Sequence, residues 1–216
     1  MIAAATPLLL AALGELITEK AGVLNLGVEG MMLAGAVIAF AAATGTGSLY
    51  LGIVAGAAAG ALLSLLFGFL TLSLVANQVA TGLALTIFGI GLSALVGQGY
   101  VGTPLDALGK LDIPGISDIP IIGPVIFGHD ILAYFSFVMV GAVIWFLYHT
   151  RGGLVLRAVG ESHDAAHAIG YPVICIRYLA VLFGGAMAGP MLAYMHYWGR
   201  LSRVCCCCCC CLRGWL

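Results

Sequence analysis

Residues 30–105 read G MMLAGAVIAF AAATGTGSLY LGIVAGAAAG ALLSLLFGFL TLSLVANQVA TGLALTIFGI GLSALVGQGY VGTPL, with no Asp, Glu, Lys or Arg from Gly30 to Leu105. A helix that crosses a bilayer needs about 20 apolar residues and satisfies its own backbone N–H and C=O groups. The run therefore holds three crossings. The polar, flexible Gly45-Thr46-Gly47-Ser48 and the pair Asn77-Gln78 divide it into spans near 29–45, 50–75 and 79–99. A barrel strand would alternate apolar and polar residues, whereas Ile53 to Gly68 is apolar on both faces. Helices are expected throughout.

Two more uncharged stretches follow, Ile131 to Thr150 and Tyr178 to Gly199, and Met1 to Gly14 makes a short first span. Met1 to Leu13 carries no basic residue and so lacks the n-region of a signal peptide. The fold class expected is all-α, a polytopic integral membrane helical bundle with about six transmembrane helices. Composition agrees. Of the 216 residues 62% are hydrophobic and 8% charged, with a mean hydropathy of +1.15, where soluble domains are about half apolar and a quarter charged. Eight Lys+Arg against nine Asp+Glu give a net charge of −1, which offers no footprint for a phosphate backbone. Lipid, and no nucleic acid, is the expected surrounding partner.

Short loops rich in Lys and Arg stay in the cytoplasm. Segment 151–177 carries Arg151, Arg157 and Arg177, while segment 100–130 carries Lys110 against Asp106, Asp112, Asp118 and Asp130. The first is expected inside and the second outside, as an extended, proline-punctuated loop. Counting crossings places Glu15 to Val28 and Asn77-Gln78 inside as well, with the Gly45 turn and the N-terminus outside. Within the spans Gly52, Gly56 and Gly60, and again Gly185 and Gly189, recur four apart, the spacing of close helix–helix packing.

Segment 151–177 is the richest in signals. Ser162 or His163 opens a short helix, Asp164 sits in its first turn, and Gly170 followed by Pro172 closes it. The reading is a rigid helix of about two turns hung beneath the membrane between two flexible, arginine-bearing arms, with Ala165-Ala166 as a small face for a partner.

Asp164-Ala165-Ala166-x-x-x-Gly170 resembles the EAA-x-x-x-G signature of bacterial ABC-importer permeases, with Asp for Glu. Glu19-Lys20-Ala21-Gly22-Val23-Leu24-Asn25-Leu26-Gly27-Val28-Glu29-Gly30 is similar to a block of the permeases that serve nucleoside and simple-sugar importers, as are Arg157-Ala158-Val159-Gly160-Glu161 and Arg177 to Gly185. The resemblance covers about Met1 to Tyr194. It implies a permease domain over 1–199 in the inner membrane of a bacterium, truncated at both ends, since such permeases begin upstream of Met1 and continue through further helices. It also implies coupling to an ABC ATP-binding subunit through Arg157, Glu161, Asp164, Ala165, Ala166 and Gly170. A second permease subunit and an extracytoplasmic substrate-binding protein complete the implied assembly, with ATP and Mg on the ATPase subunit and no cofactor on this chain.

The chain's own motifs supply no energy source. G-x-x-x-x-G-K-[ST] is absent, and Gly109-Lys110 is followed by Leu111. His163 and His167 share a helix face, but H-E-x-x-H is missing and no third metal ligand is placed. Ser64, Ser73 and Ser93 have no partner for nucleophilic chemistry, so no enzymatic activity is expected. The rival is an ion-coupled carrier or channel, which would place ionisable groups in mid-membrane; Glu29, at a span boundary, is the single example. Substrate contacts are expected from Asn25, Glu29, Asn77 and Gln78, whose amides and carboxylate suit ribose hydroxyls and base edges. The choice of nucleosides or sugars over branched-chain amino acids rests on the resemblance.

Seven of the eight cysteines are consecutive, Cys205 to Cys211, a spacing that suits neither disulfides nor a metal site. Repeated GCTGCT triplets read as alanine, leucine or cysteine in the three frames. Tail 200–216 is accordingly expected to be a frameshifted helix.

Overall fold

The computed structural model describes residues 2–100 and 131–190; the outer segment, the end of the last expected span and the cysteine tail lie outside them. The described residues form eight α-helices: α1 (Ile2–Lys20), α2 (Val28–Thr46), α3 (Leu49–Gly68), α4 (Gln78–Gly97), α5 (Ile131–His149), α6 (Arg151–Glu161), α7 (His163–Ala168) and α8 (Val173–Ala188). A π-helical turn, Phe69–Ser73, continues α3, and a 3-10 turn, Gln98–Tyr100, ends α4.

The punctuation lies where the sequence predicts it. Gly47 ends α2 in the left-handed conformation, with φ of 66°. Asn77 caps α4, its side-chain oxygen accepting from the backbone N–H groups of Val79 and Ala80. Among the described residues three helical stretches are long and apolar enough to cross a membrane, Val28–Thr46, Tyr50–Ser73 and Gln78–Tyr100, and α5 with α6 makes a fourth if the bent pair is one span. The fold is an all-helical, polytopic membrane bundle.

Two expectations need correction. The first helix does not stop at Gly14 but runs to Lys20, because charged residues end a membrane crossing without ending a helix. Thr18 donates from its hydroxyl to the Glu15 carbonyl within the same turn, and Glu15 to Lys20 of the expected cytoplasmic segment 15–28 are thereby helical. The arms flanking α7 are not flexible either. Arg151–Glu161 is a full helix, set at 74° to α5, and Arg177 lies inside α8.

Helix α8 sits at the centre, packed between α1 and α3; α5 lies against α1, and α2 joins α3 to α4. The α3–α8 crossing is at backbone distance. A Cβ on Gly60 would lie 2.8 Å from the Gly189 Cα, and one on Gly185 would strike the Ser64 side chain and the Gly60 carbonyl. In lipid such contact replaces the hydrophobic drive that holds soluble helices together. Around it, Val23, Met31, Phe67, Leu85, Val181 and Ala188 form one buried cluster, while Leu10, Leu13, Ile17, Val143, Leu147 and Leu156 join α1, α5 and α6 in another.

Candidate functional site

The segment from α6 to α8 is built corner by corner. Thr150 takes extended backbone angles between α5 and α6, and its hydroxyl accepts from the Gly153 N–H (3.1 Å), so the chain can turn without orphaning that donor. Gly153 packs against the backbone of Phe146 and Leu147, where a Cβ would collide. Buried Gly153, Leu156 and Val159 turn α6 inward, leaving Arg151, Leu154 and Glu161 exposed. Arg157 lies over the Tyr148 ring, 5.1 Å from its centroid, a cation–π contact. Its Nε is buried with no hydrogen-bond partner among the described residues.

Ser162 then caps α7, accepting from the Ala165 N–H at 3.4 Å. Asp164 stands in the first turn, where the helix dipole favours an anion. Gly170 follows with φ of +96° and nothing within 4 Å of a Cβ built on it. Its N–H bonds the His167 carbonyl, and that of Tyr171 bonds the Ala166 carbonyl, which closes the helix. The rings of His163 and His167 meet edge to face with centroids 6.5 Å apart. An open groove beside α7 is lined by His167, Pro172, Ile174 and Tyr178.

The two alanines of the expected partner face point in different directions. Ala165 is exposed, whereas Ala166 is 3% exposed and packs with Val159 and Val173. Adjacent helical residues are about 100° apart, so one face cannot hold both. Asp164, Ala165, His163 and His167 thus form the outward side, and Ala166 fastens α7 to α6 and α8.

The four expected substrate-contact residues fall into two pairs at the same end of the bundle. Asn25 is 2% exposed; its Oδ1 accepts from the Gly27 N–H (3.1 Å) and its backbone N–H donates to Glu15 Oε1 (3.1 Å). Glu29 is exposed in the first turn of α2. Asn77 is the cap of α4, and Gln78 Oε1 accepts from the Leu24 N–H at 2.9 Å. Asn25 and Gln78 therefore spend their side-chain oxygens on backbone N–H groups of the 21–27 loop, and Asn77 spends its own on the first turn of α4.

Sequence reasoning missed what holds these pieces together. Arg177 Nε donates to the Ala21 carbonyl at 3.2 Å, across 156 positions of sequence. Gly160 lies against the Lys20 carbonyl, and a Cβ there would sit 3.1 Å from the Gly22 nitrogen. Gly22 itself has φ of +79° and Gly160 for its neighbour. The blocks 19–30, 157–161 and 177–185 thus meet at one place. The Ser73 and Tyr178 hydroxyls are likewise 2.6 Å apart, tying α3 to α8. No spacing in the sequence announces such pairs; the sole signal is that Gly22, Gly160 and Arg177 all lie in the blocks that carried the resemblance.

The family model described as branched-chain amino acid transport system / permease component matches residues 1–199. A protein of Haloferax volcanii named as a candidate glucose ABC transporter permease is 42% identical over 100% of this chain and 66% of its own length. A guanosine ABC transporter permease of Bacillus subtilis is 32% identical over 86% of this chain and 62% of its own. A nucleoside ABC transporter permease of Lactococcus lactis is 32% identical over 88% and 63%. The chain therefore spans just under two thirds of the length of these relatives. No solved structure matches. With the match running unbroken through α1 to α8, the chain belongs to the family of branched-chain amino acid transport system permease components.

Proposed function

We propose that this chain is the membrane-spanning permease of an ATP-driven importer for nucleosides or simple sugars, worked by alternating access through a separate ATPase subunit. The observation that carries the reading is α7, a short helix capped by Ser162 at one end and Gly170 at the other. It is fixed by Ala166 to α6 and α8 and turns Asp164 and Ala165 outward. A helix held in this way offers a rigid projection to a groove in a partner. The three relatives named as ABC transporter permeases support the class, and their names, glucose, guanosine and nucleoside, support the substrate range over branched-chain amino acids.

Arg151, Arg157 and Arg177 support a cytoplasmic position for the α7 end, in keeping with the positive-inside rule. ATP and Mg belong to the ATPase subunit, and a second permease and an extracytoplasmic binding protein complete the importer in the plasma membrane. Arg157, Glu161 and Gly170 support α7, while Glu29, Asn77 and Gln78 stand at the cytoplasmic end of the substrate route and the buried Asn25 shapes the loop beside them.

Co-purification of the ATPase subunit tests the reading. Ala165→Arg blocks the outward face and Gly170→Val forces a β-branched residue into the left-handed region. Both are expected to lower recovery of the subunit and import of radiolabelled guanosine or glucose, with membrane insertion unchanged. Undiminished recovery and import in both variants would remove α7 as the docking element.

A further inference from the structure

The loop between α1 and α2, residues 21–27, touches α4, α6 and α8 at one end of the bundle. On one side Arg177 of α8 donates to the Ala21 carbonyl, and Gly160 of α6 presses on Lys20 and Gly22. On the other, Leu24 donates to Gln78 Oε1, and the Thr86 hydroxyl donates to the Leu26 carbonyl at 3.1 Å. Gly82 of α4 lets the loop come close, since a Cβ there would sit 3.0 Å from the Leu26 Cβ and 3.1 Å from the Gly27 nitrogen. Beneath, Asn25 is locked by Glu15 and Gly27. Helix α4 otherwise packs mainly on α2 and has little contact with the central α8.

We infer that Arg177 is a positioning residue that fastens the Ala21–Gly27 loop to α8, beside the Gly160 contact that seats it on α6, so that displacement of α7 is delivered to α4 as motion of one body. The inference rests on α7 being the docking helix. Its physical basis is the direction of the fastenings. A guanidinium bonded to a carbonyl is a charge-assisted contact, stronger than a neutral one, and the close approach at Gly160 leaves no slack between loop and α6. The α4 side is held by the Leu24–Gln78 hydrogen bond and by the Thr86 hydroxyl, which lies 3.1 Å from both the Leu26 carbonyl and the Gly82 carbonyl of its own helix. Both sides contact a single element, the kind of contiguous packing through which distant sites can be coupled.

Pulsed EPR between spin labels on Ala158→Cys in α6 and Ile87→Cys in α4, both exposed positions, measures the joint. The full chain is used in lipid with its ATPase subunit, native cysteines replaced. The parent should give one narrow distance that a non-hydrolysable ATP analogue leaves unchanged. Arg177→Met should broaden the distribution and make it shift with the analogue, and Arg177→Lys, which can still donate to Ala21, should restore it. A merely structural role would change the amount of protein recovered but not the response to the analogue. If Arg177→Met is not recovered from membranes, Gln78→Leu with Thr86→Val, cutting the α4 side, carries the same expectation. A parent distance that shifts with the analogue, or a variant indistinguishable from the parent, overturns the inference. An ATPase subunit that fails to bind the parent defeats the α7 reading instead, and the nucleotide-free comparison of parent with Arg177→Met still decides the joint.

Discussion

Ala166 and Gly170 show how much a single position can carry. Ala166 is covered by Val159 and Val173, so Ala166→Arg has nowhere to place a charge and must expel α7 from its seat. Burial of an unpaired charge is among the few changes that cost several kcal/mol. Hydrogen–deuterium exchange over residues 162–172 is the measurement: amides protected in the parent should exchange freely in Ala166→Arg, while Ala165→Arg should keep parental protection. Equal protection in the two variants would contradict the packing. Gly170 is different in kind. With open space around it, its requirement is the backbone angle alone, worth about 1 kcal/mol for a residue with a Cβ.

At the scale of the element, the crossing of α3 on α8 and the corner between α5 and α6 have opposite logic. The crossing depends on missing side chains, and Gly185→Leu would drive atoms into Ser64 and the Gly60 carbonyl. Overpacking of this sort costs about 1–3 kcal/mol, so thermal unfolding in detergent should begin at a lower temperature, with less effect from Gly141→Leu on α5, where nothing lies within 4 Å. The corner depends on a polar group. Thr150→Val removes the acceptor of the Gly153 N–H, a loss of about 1 kcal/mol for a helix cap. Its expected result is fraying by exchange of the first turn of α6 and of the last turn of α5, where the Thr150 hydroxyl also donates to the Phe146 carbonyl.

Over the whole molecule, the loop 21–27, the start of α4 and the α6–α7 segment share one end of the bundle, joined through Ala21–Arg177 and Leu24–Gln78. The turn at Gly47 closes the opposite end of α2. In the proposed topology the first end faces the cytoplasm, as the positive-inside rule expects of its arginines. Single cysteines at Ser162 and Thr46, both exposed, test that in intact cells with native cysteines replaced. An impermeant thiol reagent should label Thr46→Cys and spare Ser162→Cys. The reverse pattern would invert the topology and take the docking proposal with it.

The sequence by itself determined the three spans between residues 28 and 100 and the breaks between them, because burial in lipid imposes a local requirement that each stretch satisfies alone: enough apolar length, and turn residues between. It determined the limits of α7 for the same reason, since Ser162, Gly170 and Pro172 act within one turn of their own positions. It misread α6 as flexible because Gly152-Gly153 weakens a helix in isolation; packing of Gly153 on the backbone of α5 reverses that preference. Only the tertiary structure decided that Ala166 faces inward, that Gln78 is engaged by the Leu24 N–H, and that Arg177 holds Ala21. Those facts depend on residues up to 156 positions apart meeting in space, and a periodicity read along one chain segment carries no record of what another segment brings to its surface.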